Sequence, residues 1–106
     1  MNVLFDQGVP VPLREYLLRH TVSTAYELGW SQLSNGDLLD AATAQFDAFV
    51  TTDQDLRCQQ DLTKCRIAIL VLPTTSWPRI QANLPRVVAA VDDLNPGDFR
   101  ELAFST

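Results

Sequence analysis

One histidine and two cysteines among 106 residues leave little for several common chemistries. Structural zinc sites draw on closely spaced pairs of Cys and His. Cys58 and Cys65 have no second cysteine pair beside them, and His20 is remote in sequence. The count argues against a zinc site and for two reduced thiols. Basic residues are also scarce, 8 Lys and Arg against 13 Asp and Glu for a formal net charge of −5. No basic stripe exists of the kind that holds a protein to nucleic acid by phosphate neutralisation alone. An acidic balance still admits enzymes that gather carboxylates around a divalent metal, because the metal inverts the local field. No apolar run reaches the roughly 18 residues of a membrane span, and "MNVLFDQG" has neither a basic leader nor a long apolar core. The expectation is a soluble cytoplasmic protein with no membrane partner.

What is present is apolar patterning in short blocks. With 46% hydrophobic residues the chain can fill one core, which predicts a single domain over residues 1–106. "NVLF", Asn2 to Phe5, reads as a buried strand ending at Asp6. "VPVPLREYLLRH" follows with prolines where a helix can start and with Leu13, Tyr16, Leu17 and His20 at helical spacing. "TVSTAYEL", Thr21 to Leu28, reads as a second strand closed by Gly29. "SNGDLLDAATAQF" places Ser34 at an N-cap with Asp37 three positions on, a capping box with Asp in place of Glu, and continues as a helix. "AFVTT" is a third strand, and "RIAILVLP", Arg66 to Pro73, is apolar enough for the centre of a parallel sheet. Ser76 can cap a helix from Trp77, which Pro85 bends or divides. "FRELAF" reads as a short final strand. Alternating strands and helices predict an α/β sandwich around a mainly parallel sheet with right-handed crossovers.

In such sheets ligands bind beyond the carboxyl ends of the strands. Asp6 ends the first strand, Asp37 opens a helix, and Asp53 and Asp55 follow the third strand in "FVTTDQDL". Each alone has a local explanation, since Asp favours turns, helix starts and Asx contacts. Together on one edge they would repel and raise one another's pKa unless a cation compensates. Oxygen-only ligation by carboxylates and water suits magnesium or manganese, which can activate water for phosphodiester hydrolysis.

The succession "VLFDQG", "NGDLLDAA" and "FVTTDQDL" resembles the PIN-like nucleases, and within them the short PIN-like proteins regarded as toxins of bacterial toxin-antitoxin pairs. The resemblance extends over most of the chain, through "STAYELGW", "RIAILVLPTTSWPRI" and "PGDFREL". It implies a PIN-like three-layer α/β/α sandwich and a metal-dependent endoribonuclease with RNA as substrate. It further implies Mg2+ or Mn2+ as cofactor, a small antitoxin protein as partner, and a homodimer, since relatives often dimerise. Residue by residue it assigns Asp6, Asp37 and Asp53 to the metal, the same three with Asp55 to catalysis, and Thr51 as the neighbouring hydroxyl on the substrate side. Longer PIN domains carry a helix-borne Glu between the first two acids; Glu27 is the acid found there, and Asp40 lies one helical turn after Asp37. Either of these, or Asp55, is a candidate to complete the site.

Around the acids, Arg14, Arg57, Lys64 and Arg66 are candidates for phosphate contacts or for a solvated surface, with Arg14 and Arg57 assigned to substrate. Gln7 and Gln54 stand beside the acids and can orient water. Trp30 and Trp77 can stack on bases or pack in the interior. The alternative to a nuclease is a non-catalytic PIN-like protein-interaction module that keeps the fold and the acids without the reaction.

Overall fold

The computed structural model describes residues 1–56 and 66–104, apart from the side chain of Asn35. Arg57, Cys58, Lys64 and Cys65 lie outside the described residues, and so do the readings made of them. Five strands form one sheet: β1 (Asn2–Phe5), β2 (Thr21–Thr24), β3 (Ala48–Thr51), β4 (Ala68–Val71) and β5 (Phe99–Glu101). Their order is β2-β1-β3-β4-β5, and every pairing is parallel. Among the described residues three α-helices accompany them, α1 (Asn35–Gln45), α2 (Trp77–Gln81) and α3 (Leu84–Asp92), with a 3-10 helix at Val11–Tyr16.

Alternation along β1 and β3 divides the interior. Val3, Phe5 and Val50 face a cluster with Leu13 of the 3-10 helix, Ile80 of α2, and Val87 and Val91 of α3. Leu4, Phe49, Ile69 and Val71 face the other way, onto Leu38, Leu39 and Ala42 of α1. Residues of period two on the strands thus feed two cores, one on each side of the sheet. The central strands β3 and β4 are buried throughout, as their apolar runs Ala48 to Val50 and Ala68 to Val71 require.

The local signals explain most boundaries. Ser34 caps α1 by accepting from the backbone N–H of Asp37 at 3.2 Å, and Ser76 caps α2 by accepting from that of Arg79 at 3.4 Å. Pro85 removes a donor and crowds the preceding turn, so one expected helix becomes α2 and α3. Two expectations are corrected. The first helix is a six-residue 3-10 segment, held by bonds such as Leu13 N–H to the Pro10 carbonyl at 3.1 Å. The segment keeps the tighter pattern to its end, with Leu17 N–H on the Arg14 carbonyl at 3.2 Å, and Leu17 then leaves helical geometry at φ −96° and ψ 62°. The second strand stops at Thr24 instead of reaching Leu28, because Thr24 and Glu27 cap each other: the Glu27 carboxylate accepts from Thr24 N–H at 3.0 Å and Thr24 Oγ1 accepts from Glu27 N–H at 3.2 Å. Residues 25–29 then turn, and Gly29 takes φ 74°, a left-handed value that suits glycine.

Candidate functional site

With all strands parallel, their carboxyl ends share one edge. β1 lies between β2 and β3, so the chain leaves β1 on one side and returns on the other. That makes the β1/β3 boundary the topological switch point, where the loops diverge and leave a crevice. Asp6 follows β1 there and donates its N–H to the Val50 carbonyl of β3 at 3.0 Å. Thr51 ends β3 directly alongside.

The Asp6 side chain is only 4% exposed, yet both carboxylate oxygens are bonded. Oδ1 accepts from the Gly8 N–H at 2.9 Å, and Oδ2 accepts from the Thr51 hydroxyl. Thr51 Oγ1 in turn accepts from the Asp53 N–H at 3.0 Å, and Asp53 Oδ1 accepts from the Asp55 N–H at 2.9 Å. One hydroxyl therefore joins the carboxylate after β1 to the backbone of Asp53, two residues past the end of β3. Burial pushes the Asp6 carboxyl above its ordinary range, against the opposing pull of the Thr51 hydroxyl and the Gly8 amide. The loops are closely packed: a Cβ on Gly8 would stand 2.2 Å from Thr52 Oγ1, so Gly8 keeps its place only without a side chain or with Thr52 turned aside.

The remaining sequence candidates fall as follows. Thr51 is fully buried, so its hydroxyl positions Asp6 and Asp53 instead of facing substrate. Asp37 is exposed in the first turn of α1. Asp47, just past α1, donates its N–H to the Asn2 carbonyl at the opposite edge, and the helix runs back about 16 Å from there, so Asp37 lies toward the edge that holds Asp6. Asp40 and Asp55 are exposed. Among the described residues, no group of three or more His, Cys, Asp or Glu side chains is arranged to hold a metal ion, so the expected set of Asp6, Asp37 and Asp53 does not stand assembled as one. Asp6 and Asp53 follow neighbouring strands on one edge, and carboxylate oxygens are the donor type that magnesium and manganese take, one or two at a time with much of their water kept.

Several neighbours serve the scaffold. Arg14 Nη1 lies 2.5 Å from Glu27 Oε1, and that bond holds the Glu27 carboxyl below its usual range. Both groups named for other roles are thus spent on each other. Arg66 is exposed ahead of β4, at the edge away from Asp6. The Gln7 amide donates to the Ser31 carbonyl, and that of Gln54 to the Leu72 carbonyl at 2.5 Å, so both tie strand-end loops together. Trp77 packs against Tyr16 with ring centroids 6.0 Å apart, and Trp30 meets Phe46 edge-on at 6.4 Å. Beside Asp6, toward β2, opens a cavity of about 250 Å³ bordered by Gln7, Val9, Val11, Thr24, Ala25, Tyr26 and Ser31. The sequence reading missed it, since it depends on the turn that cuts β2 short. The T-x-x-E spacing of Thr24 and Glu27 was the signal that could have revealed it. No protein-family model, curated protein or solved structure matches the chain.

Proposed function

We propose that the protein is a metal-dependent endoribonuclease with a PIN-like three-layer α/β/α architecture, acting as the toxin of a bacterial toxin-antitoxin pair in the cytoplasm. The observation that carries this reading is the linkage of Asp6 to Asp53 through Thr51 at the β1/β3 switch point. Helices packed against both faces of a parallel sheet support the architecture, and the resemblance in "VLFDQG" and "FVTTDQDL" supports the reaction class and the small antitoxin partner.

Asp6 and Asp53 would hold Mg2+ or Mn2+ through carboxylate oxygens, with Asp37 approaching from the start of α1. Bound there, the ion supplies charge neutralisation for a phosphodiester and acidifies water for attack on phosphorus. The Thr51 hydroxyl and the Gly8 amide hold the two oxygens of Asp6, and the same hydroxyl holds the backbone of Asp53, so the Asp6 carboxylate is set in place ahead of substrate. Burial raises the proton affinity of Asp6, and a cation beside it would restore the ionised form. Asp55 braces the Asp53 loop through its N–H.

The test is cleavage of single-stranded RNA by the purified chain with Mn2+ or Mg2+, compared with Asp53→Asn and with chelator. Activity that needs the ion and disappears in Asp53→Asn supports the enzyme. Wild-type protein that binds a small partner but leaves RNA intact under every metal condition supports the non-catalytic module instead.

A further inference from the structure

We infer that the cavity between Asp6 and the Thr24–Tyr26 turn is a subsite for one unstacked base of single-stranded RNA, an assignment that rests on the nuclease reading for its ligand class. Three observations point to a base. At about 250 Å³, the space admits a planar ring system and is too small for a folded element of RNA. Its walls include the apolar side chains of Val9, Val11 and Ala25, and Tyr26 borders it while remaining 82% exposed. An exposed aromatic beside an apolar recess is the arrangement on which splayed bases stack.

Charge separates the base from the phosphate. Among the described residues bordering the cavity, the charged group is the Asp6 carboxylate and none is a cation. With no Lys or Arg on its walls the recess offers a phosphate no counter-charge, whereas a neutral base needs none. Arg14, a cationic candidate from the sequence, is held on Glu27. The backbone therefore passes the acids at the β1/β3 crevice while the neighbouring base turns toward β2. The same Asp6 borders both places, so base binding sets the register of the phosphodiester against the acids.

The Thr24–Glu27 cap matters here as well. By ending β2 at Thr24 it lifts Tyr26 off the sheet and out to the surface. A strand continued to Leu28 would instead have carried Tyr26 along the sheet edge.

Fluorescence anisotropy of a labelled single-stranded RNA oligonucleotide, with the full chain in chelator and then with Ca2+, tests the subsite apart from cleavage. Tyr26→Ala is expected to weaken binding about ten-fold, and Tyr26→Phe, which keeps the ring, to restore most of it. Val11→Trp, at a half-exposed position on the cavity wall, is expected to block it and to weaken binding comparably. An oligonucleotide with abasic sites should bind the wild type as weakly as the intact one binds Tyr26→Ala. Wild-type affinity in both Tyr26→Ala and Val11→Trp overturns the subsite, even if Asp53-dependent cleavage is found. Ring-dependent RNA binding without cleavage under any metal supports the subsite and removes the enzyme. Failure of the wild type to bind single-stranded RNA overturns both.

Discussion

Thr51 is where the chemistry of this edge concentrates, because one hydroxyl serves two acids. It donates to Asp6 and accepts from the Asp53 backbone, all within a fully buried side chain. Thr51→Val keeps the shape and strands a buried carboxylate oxygen and a backbone donor, so the metal-free protein should lose about 1–3 kcal/mol in urea denaturation, and metal affinity should fall. Thr51→Ser restores the hydroxyl and should recover most of both. Asp53→Asn is a different case. Its Oδ1 can still accept from Asp55 N–H, so the urea midpoint without metal should stay near the wild-type value or rise, while Mn2+ binding measured by calorimetry disappears. A large loss of metal-free stability would mark Asp53 as a turn former only. Glu27 gives a pH test. Its folded carboxyl lies below the ordinary value, chiefly through the bond from Arg14, so its stabilisation is present above the unfolded value of about 4.3 and is lost as pH falls through the folded value. Denaturation midpoints from pH 7 down to pH 3 should therefore fall less steeply in Glu27→Gln than in the wild type.

Among the elements, caps and prolines were the most legible part of the chain. Ser34 and Ser76 begin helices where the sequence places them, and Pro85 divides the helix it interrupts. The sheet was legible too, since "AFV" and "AILV" are apolar without alternation and so must be covered on both faces. What misled were residues whose propensity and local bonding disagree. Thr, Tyr and Val favour strands, so "TVSTAYEL" reads as one, but Thr24 and Glu27 exchange side-chain bonds that end it. The acids on the sheet edge were visible as a motif. Their geometry was not, because Asp37 is placed by the length and tilt of α1, which no local pattern encodes. Ser34 is the element-scale test of that placement. Ser34→Ala removes the acceptor for Asp37 N–H and should cost about 1 kcal/mol, seen as a lower urea midpoint. If Asp37 serves the site, cleavage by the fully folded variant should fall as well, because fraying of the first turn moves that acid.

At the scale of the whole molecule, the two ends of the sheet do different work, and the proposed reaction class rests on that difference. His20 stands before β2 at the edge away from Asp6, where its Nε2 lies 2.7 Å from Asp92 Oδ1 and its Nδ1 lies 3.3 Å from the Met1 amine. These contacts fasten the end of α3 and the start of β1, so His20 is a structural anchor a full strand length from the acids. A ribonuclease that forms a cyclic phosphate needs an acid and a base at the 2′-hydroxyl and the leaving oxygen, a task usually given to histidine. The crevice edge offers carboxylates instead, and carboxylates with a divalent ion direct water onto phosphorus. The products should then carry 5′-phosphate and 3′-hydroxyl ends, and activity should vanish with chelator and return with Mn2+. His20→Ala should lower thermal stability through loss of the Asp92 and Met1 contacts, yet cleave at the wild-type rate per folded molecule when assayed below its melting temperature. Products ending in a 2′,3′-cyclic phosphate, or cleavage that persists in chelator, would place the reaction outside the Asp6 and Asp53 crevice and leave Thr51 as the buried tie between two ordinary loop acids.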